Sequence, residues 1–489
     1  MSMLILALDA GTTATKAAAF DEAGRIVAAA EERTRVRSTE PGRREIDMAE
    51  LAESTFSVMR KVVDRIDAAS VAGIAITGQG EGAWLIDADG RPVRAAVLWN
   101  DARAAATHAQ MRAAGEIDRI RHTTGGSVHP GSLPVIARWL HEHETDVFDR
   151  TAFVLSCKDW IRLQLTSVVE TEASDLSRSY MNTATGEIDE DLVLSLGDVP
   201  LRAIAPVADA SETRPLSTAA AHLLGLPVGL PVGIGTMDVA SVGYAFAGDA
   251  VERAWAIIGT TSFIGVVRDE MRPAGGGNWM AQGTRGLSIN SLAPMVGAPL
   301  LEWVKAFIGC GPLGWEAFEY HARSAANSRT APLLLPYLAP SGERAPFMDP
   351  FARGSLHGLS YDTTGADLAW AAYAGLAQTL AECVQQLDVH GPIQIAGGGS
   401  ASDLLCQLVA DYSGHVIERP LLAAEIGMVG AVRRVRAALG HPDVLENAAI
   451  ESVQFCPTTD EDDRLAAFGA LQRHRVVEQP LWNTDAVAR

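Results

Sequence analysis

The chain has 489 residues, 48% hydrophobic and 20% charged, with 60 Asp and Glu against 40 Lys and Arg and a formal charge of −20. The apolar content excludes a disordered protein, and the length exceeds what one hydrophobic core serves, so two domains are expected. The acidic balance excludes nucleic acid and an anionic membrane as main partners, yet allows a phosphate ligand held locally by backbone N–H groups and helix N-termini.

The opening runs straight into the apolar stretch Leu4 to Leu8 with no charged leader, and no apolar run is long enough to span a bilayer. The five cysteines, Cys157, Cys310, Cys383, Cys406 and Cys456, are scattered and form no CxxC pair. A cytoplasmic protein with reduced thiols is expected, the thiols serving as small core residues.

In chain order, Met3 to Leu8 reads as a strand, Asp9-Ala10-Gly11-Thr12-Thr13 as a turn, Thr15 to Phe20 as a second strand and Ile26 to Ala30 as a third. A helix is predicted from about Met48, with Leu51, Phe56, Met59, Val62, Val63 and Ile66 along one face, and then a buried strand at Val71 to Ile76. The second half opens in the same way, with a strand at Ala254 to Ile258, a turn at Gly259-Thr260-Thr261-Ser262 and a strand at Phe263 to Val267. A long Ala-rich helix follows at Ala366 to Leu387, then a strand at Ile393 to Ala396, and Gly397-Gly398-Gly399-Ser400 leads into a helix near Ser402. Two halves of one design are expected, 1–248 and 249–489, with a mixed sheet in each and a ligand cleft between them.

Both Gly-Thr-Thr corners expose N–H groups and hydroxyls that suit an oxyanion, and Asp9 is placed to hold a metal ion through water. Taken alone, the first corner also reads as an ordinary hairpin with an Asp-started turn. The Gly397–Ser400 loop lets backbone approach a flat or charged ligand. No GxxxxGK[ST] loop occurs, which excludes a P-loop enzyme, and no strand-linked GxGxxG marks a dinucleotide oxidoreductase. Asp238 comes just after the apolar segment Leu230 to Ile234 and precedes the small-residue run Val239 to Gly248. It reads equally as a cleft carboxylate or as the N-cap of the helix that follows. Gln79, Glu81, Trp99, Asn100, Asp101 and Arg103 supply amide, carboxylate, indole and guanidinium groups of the kind that bind a polyhydroxylated ligand; singly, each reads as part of a polar loop. His129 and Lys158-Asp159-Trp160 are lesser candidates of the same kind, and His122, His141 and His143 read as surface histidines.

These segments together resemble the FGGY carbohydrate kinase family, which includes glycerol, xylulose, ribulose, L-xylulose and erythritol kinases. The resemblance rests on Asp9-Ala-Gly-Thr-Thr, Pro41-Gly-Arg-Arg-Glu-Ile-Asp47, Gly78-Gln-Gly-Glu-Gly82, Leu98-Trp-Asn-Asp101, Gly259-Thr-Thr-Ser262, Pro336-Tyr-Leu338 with Gly342-Glu-Arg-Ala-Pro346, and Gly397 to Ser402 with Ala410-Asp411. It implies a duplicated actin-like, ribonuclease-H-like α/β fold. It implies Asp238 as catalytic base and as a residue of the substrate and magnesium sites, and Asp9 at the magnesium–phosphate site. Thr12, Thr13, Gly259 and Thr260 are then implied at the phosphates of ATP and Gly397, Gly398, Gly399 and Ser400 on the nucleotide. Gln79, Glu81, Trp99, Asn100 and Asp101 fall on the sugar side.

The chain departs from the family pattern at Ser167, where Gly is usual, at Leu405, where Trp is common, and at His415, where Pro is common. Glu81-Gly82-Ala83-Trp84 is closer to erythritol and L-xylulose kinases than to D-xylulose kinases. The expected activity is ATP- and Mg²⁺-dependent phosphorylation of a ketopentose or a tetritol, in a chain that admits a homodimer. The same scaffold also serves sugar-independent ATPases of the chaperone type and inactive sugar sensors, so those remain alternatives.

Overall fold

The computed structural model describes residues 3–40, 42–270, 277–326, 328, 331–339, 342–349, 351–421, 425–441 and 452–487. Pro41 of the Pro-Gly-Arg-Arg segment lies outside these residues.

Two seven-stranded sheets form the frame. The first contains β1 (Leu4–Ala10), β2 (Ala14–Phe20), β3 (Ile26–Arg33), β4 (Val71–Gly78), β5 (Thr213–Pro215), β6 (Pro231–Gly233) and the short β7 (Thr236–Met237). Its order is β5-β6-β4-β1-β2-β3, with β7 also on β4. Pairing from β3 inward is antiparallel, antiparallel, parallel, parallel and antiparallel. The second sheet contains β8 (Ala254–Ile258), β9 (Ser262–Arg268), β10 (Asn278–Ala281), β11 (Ser288–Leu292), β12 (Ile393–Ala396), β13 (Ile417–Pro420) and β14 (Ser452–Phe455). From β11 through β9, β8, β12 and β13 to β14, the same sequence of pairings recurs. The two halves therefore share a six-strand plan, and each half opens on a hairpin whose first strand lies at the sheet centre. This is the duplicated α/β architecture expected from the two strand–turn–strand openings.

The elements form where the sequence demands them. β1 is apolar from Leu4 to Leu8 because it is covered on both faces, whereas β3, at the sheet edge, alternates between less and more exposed residues. Helix α1 (Met48–Val63) begins where the Asp47 carboxylate accepts the Ala49 and Glu50 N–H groups, and it buries Met48, Leu51, Thr55, Val58, Met59, Val62 and Val63. The Ala-rich helix spans Gly365–Gln386 and is buried along most of its length, its first turn closed by a Thr364–Asp367 capping box. Ser167 occupies the left-handed region at φ 63°, directly after the helix Cys157–Thr166. Glycine is favoured there, which is the physical reason for the family preference that this chain forgoes.

The halves are joined through a shared core. Helix α2 (Asp238–Ala247) packs against helix α3 (Ile426–Ala438), between β1, β2 and β4 of the first sheet and Trp255 and Ile289 of the second. A Cβ on Gly430 would lie 1.8 Å from the Ser241 carbonyl oxygen, so only glycine permits this approach. Cys157, Cys383 and Cys406 are buried, Cys310 is half-buried and Cys456 is exposed; all are free thiols. Among the described residues, no helix is long and apolar enough to cross a membrane.

Candidate active site

The site is built on the end of β4. Thr77 pairs with Asp9 on one side and with Thr236 on the other, and its hydroxyl donates to the Thr236 carbonyl at 2.9 Å. Three chain segments that are remote in sequence therefore end together: Asp9-Ala10-Gly11, Gly78-Gln79-Gly80 and Met237-Asp238.

Asp238 is the first residue of α2, and Met237 holds the N-cap position, which corrects the reading of Asp238 as the cap itself. The Asp238 carboxylate accepts the Val239 N–H at 2.7 Å. Burial, reinforced by the negative charges of Asp9, Asp175 and Glu81, pushes its pKa up to about 7 against the pull of that hydrogen bond. Burial likewise pushes Asp9 up to about 6, against the attraction of Lys16, and the Asp9 Oδ1 atom is buried without a hydrogen-bond partner. Such an orphaned carboxylate oxygen, near enough to a second carboxylate for its charge to raise it, fits a hard cation that takes one or two carboxylates together with water and phosphate oxygens.

The first Gly-Thr-Thr corner closes through Gly11 N–H donating to the Ala14 carbonyl at 3.0 Å. The Thr12 hydroxyl donates to Gln79 Oε1 at 3.0 Å and accepts from Trp99 Nε1 at 3.1 Å. Thr12 thus ties the phosphate-type corner to two residues expected on the sugar side. Thr13 and Asn100 are exposed, and with Thr12 and Arg44 they line a groove of about 1040 Å³.

Glu81 sits at φ 59°. Its carboxylate meets His129 Nε2 at 2.8 Å, Ser132 Oγ at 3.4 Å and Arg178 Nε at 3.5 Å. Burial raises its pKa, but His129, Arg178 and Arg344, the last from the second half, outweigh burial and hold it at about 2. His129 is therefore brought to the site. Arg178 and Arg344 are functional candidates that sequence reasoning missed: Arg344 lies in the Gly342-Glu-Arg-Ala-Pro346 segment with no local sign of a role, and nothing local marks Arg178.

Other residues are placed differently. Both Asp101 oxygens are occupied, Oδ2 by the Arg44 N–H at 2.6 Å and Arg103 Nη2 at 2.8 Å, and Oδ1 by the Arg103 N–H and Nε at 2.8 and 2.9 Å. This carboxylate fastens the Trp99-Asn100 loop. Lys158 is fully buried among carboxylates, and the Trp160 indole donates to the Met48 carbonyl at 2.9 Å, which places both in the interior. His122, His141 and His143 are exposed.

In the second half, β8 and β12 run parallel with Ile257 opposite Ala396, so the Gly259-Thr260 corner stands beside Gly397. The corner is braced from behind: a Cβ on Gly297 would lie 2.6 Å from both the Gly259 and the Thr260 carbonyl oxygens. Gly397, at φ 87°, and Gly399 are pressed against Ile258, whereas a Cβ on Gly398 would meet nothing within 4 Å. Gly398 and Gly399 line a cleft of about 580 Å³ with Trp315, Glu319, Tyr320 and Ser402. Ser400 is buried, and its hydroxyl donates to the Gly397 carbonyl at 2.7 Å, closing the turn from inside. Sequence reasoning missed Trp315, Glu319 and Tyr320 because they lie on a separate helix, Trp315–Arg323, about 80 residues before the loop they face.

Residues 4–243 match the N-terminal domain of the FGGY family of carbohydrate kinases, and residues 254–438 match its C-terminal domain. The erythritol kinase of Brucella abortus (strain 2308) is 28% identical, covering 98% of this chain and 97% of its own length. A probable L-xylulose kinase of Pasteurella multocida (strain Pm70) is also 28% identical, covering 87% of this chain and 89% of its own. The crystal structure of a ligand-bound xylulose kinase from Lactobacillus acidophilus superposes with a TM-score of 0.90 at 21% identity, covering 99% of each chain.

Proposed function

This chain belongs to the FGGY family of carbohydrate kinases, and we propose that it transfers a phosphoryl group from ATP to a hydroxyl of a ketopentose or a tetritol, with Asp238 as the general base. The observation that carries this reading is the Asp238 carboxylate, buried beside Asp9 with its pKa raised to about 7. A base works best with its pKa near the operating pH, and burial beside a second carboxylate supplies that tuning.

In this reading the first half, 1–248, holds the sugar and the base, and the second half, 249–489, holds the nucleotide. The substrate lies against Gln79, Glu81, Trp99 and Asn100, with Asp238 at the reacting hydroxyl. Asp101 contributes by fixing the loop. Thr12, Thr13, Gly259 and Thr260 offer N–H and hydroxyl donors to the phosphates, and Gly397 to Ser400 shape the floor of the nucleotide cleft. Asp9 and Asp238 would hold Mg²⁺, which when bound neutralises charge on the phosphates. Asp238 accepts the hydroxyl proton as the oxygen attacks in line, and approach of the two halves brings donor and acceptor into register while excluding water.

The sugar class is supported by the Glu81-Gly82-Ala83-Trp84 segment and by the names of the two relatives at equal identity, one an erythritol kinase and the other an L-xylulose kinase. The test is ADP release with erythritol, L-xylulose, D-xylulose, ribulose, ribitol and glycerol. Release that depends on erythritol or a xylulose is the expected result. Release independent of any sugar would overturn the kinase reading in favour of an actin-like ATPase.

A further inference from the structure

Behind the candidate base lies a buried polar cluster on the single helical turn Ala173–Leu176. Glu172 precedes the turn and accepts the Ser174 N–H at 2.8 Å as well as the Ser174 hydroxyl. That hydroxyl oxygen in turn accepts the Met237 N–H at 2.9 Å, one residue before Asp238. The neighbouring Asp175 Oδ1 accepts the Glu81 N–H at 3.0 Å. Lys158 Nζ sits 2.9 Å from Asp175 Oδ2, 2.9 Å from Asp159 Oδ1 and 3.1 Å from Glu172 Oε1, and Arg162 pairs with Asp159 at 3.0 Å. Ser174, Glu172, Lys158, Asp159 and Arg162 are fully buried, and Asp175 nearly so.

We propose that Ser174 and Asp175 are positioning residues that fix the base strand and the sugar loop relative to each other, with Lys158 holding Asp175 in place. The inference rests on Asp238 being the base.

Three features support it. Adjacent side chains of one turn grip two different segments, 63 and 94 residues away in sequence. The gripped segments touch: a Cβ on Gly80 would lie 2.3 Å from Met237 Cε and 2.9 Å from Asp175 Oδ1. The Glu81 backbone is held in the left-handed region at φ 59°, which a non-glycine residue keeps only where its surroundings fix it, and Asp175 supplies that hydrogen bond. The same stretch reaches the second half, because Ser177 Oγ accepts the Ala281 N–H of β10 at 2.9 Å.

The test compares Ser174→Ala, Ser174→Thr, Asp175→Asn, Asp175→Ala and Asp238→Asn, each confirmed as folded by circular dichroism. The assay uses whichever of erythritol and L-xylulose turns over faster. Ser174→Ala is expected to lower kcat by about tenfold, the worth of one buried hydrogen bond, with both KM values within about twofold. Ser174→Thr is expected to restore kcat. Asp175→Ala is expected to raise the sugar KM and leave the ATP KM unchanged. Asp175→Asn, which keeps an acceptor for the Glu81 N–H, is expected to hold the sugar KM.

A folded Ser174→Ala enzyme with normal kcat would overturn the inference, as would an Asp175→Ala enzyme whose two KM values rise together. If Asp238→Asn is inactive while Ser174→Ala is normal, only the bracket fails; if Asp238→Asn is fully active, the base reading fails and the bracket with it. Should neither sugar turn over, hydrogen–deuterium exchange decides. Faster exchange at Met237 in Ser174→Ala and at Glu81 in Asp175→Ala supports the bracket, and unchanged exchange overturns it.

Discussion

Asp9 and Thr236, the latter two residues before Asp238, stand on opposite sides of Thr77, which pairs with Asp9 through β1 and with Thr236 through β7. The negative charge of Asp9 is one of the forces that raise Asp238, second only to burial. A buried carboxylate with its pKa raised to about 7 is costly to the fold, and a site that moves a proton is where such a cost is expected.

Replacing Asp238 by Asn should leave the fold intact and lower kcat by ~100-fold or more, the usual worth of a positioned base. The comparison is steady-state turnover of wild type and variant on the best sugar of the panel. Turnover within a few-fold of wild type would remove Asp238 from that role.

The pH dependence follows from the direction of the shifts. Asp238 must be ionised to accept a proton, so kcat/KM should rise with pH and level off above about 7. Stability runs the other way. With its folded pKa raised, the native state binds more protons than the unfolded chain, so stability falls as pH rises from the ordinary carboxylate range through about 7. Asp238→Asn should therefore raise Tm at pH 8 and do so much less at pH 5, which thermal melts at the two pH values would show.

Two glycines should separate sugar from nucleotide. Gly80→Ala forces a Cβ to within 2.3 Å of Met237 Cε and should raise the sugar KM with little change for ATP. Gly297→Ala drives into the carbonyls of Gly259 and Thr260, both at 2.6 Å, and should raise the ATP KM with little change for the sugar. Initial-rate kinetics with each substrate varied in turn would distinguish the two effects.

The nucleotide cleft carries its own reporter. Trp315 is half exposed at its wall, and a bound adenine ring would cover it. ADP should change the tryptophan fluorescence of wild type, and Trp315→Phe should remove most of that change although nine other tryptophans remain of the ten in the chain.

The C-terminal helix Glu461–Val487 should matter for stability. Arg475 donates to both Glu382 oxygens at 2.7 Å, and it lies 4.6 Å from the Phe347 ring, behind the segment that carries Glu343 and Arg344. The Glu382 side chain is 3% exposed. Arg475→Ala would leave that carboxylate buried and unpaired, a loss of about 3 kcal/mol, visible as a lowered Tm.

The sequence by itself determined the two strand–turn–strand openings, both Gly-Thr-Thr corners, the Gly397 loop and the candidacy of Asp9 and Asp238. Each is written in contiguous residues: apolar runs, small turn residues and an acid at a strand end. Tertiary structure alone decided how those pieces are used. Asp101, read as a sugar ligand, is filled by Arg44 and Arg103, and Ser400 turns inward to close its own loop. The charge of Arg344 acts on Glu81 across 263 residues of chain, and Asp175 accepts the Glu81 N–H across 94. No local pattern encodes such partners, because burial and charge at a site are set by whatever the fold brings to it. For that reason the proton affinity of Asp238 became legible only once β1, β4 and β7 were side by side.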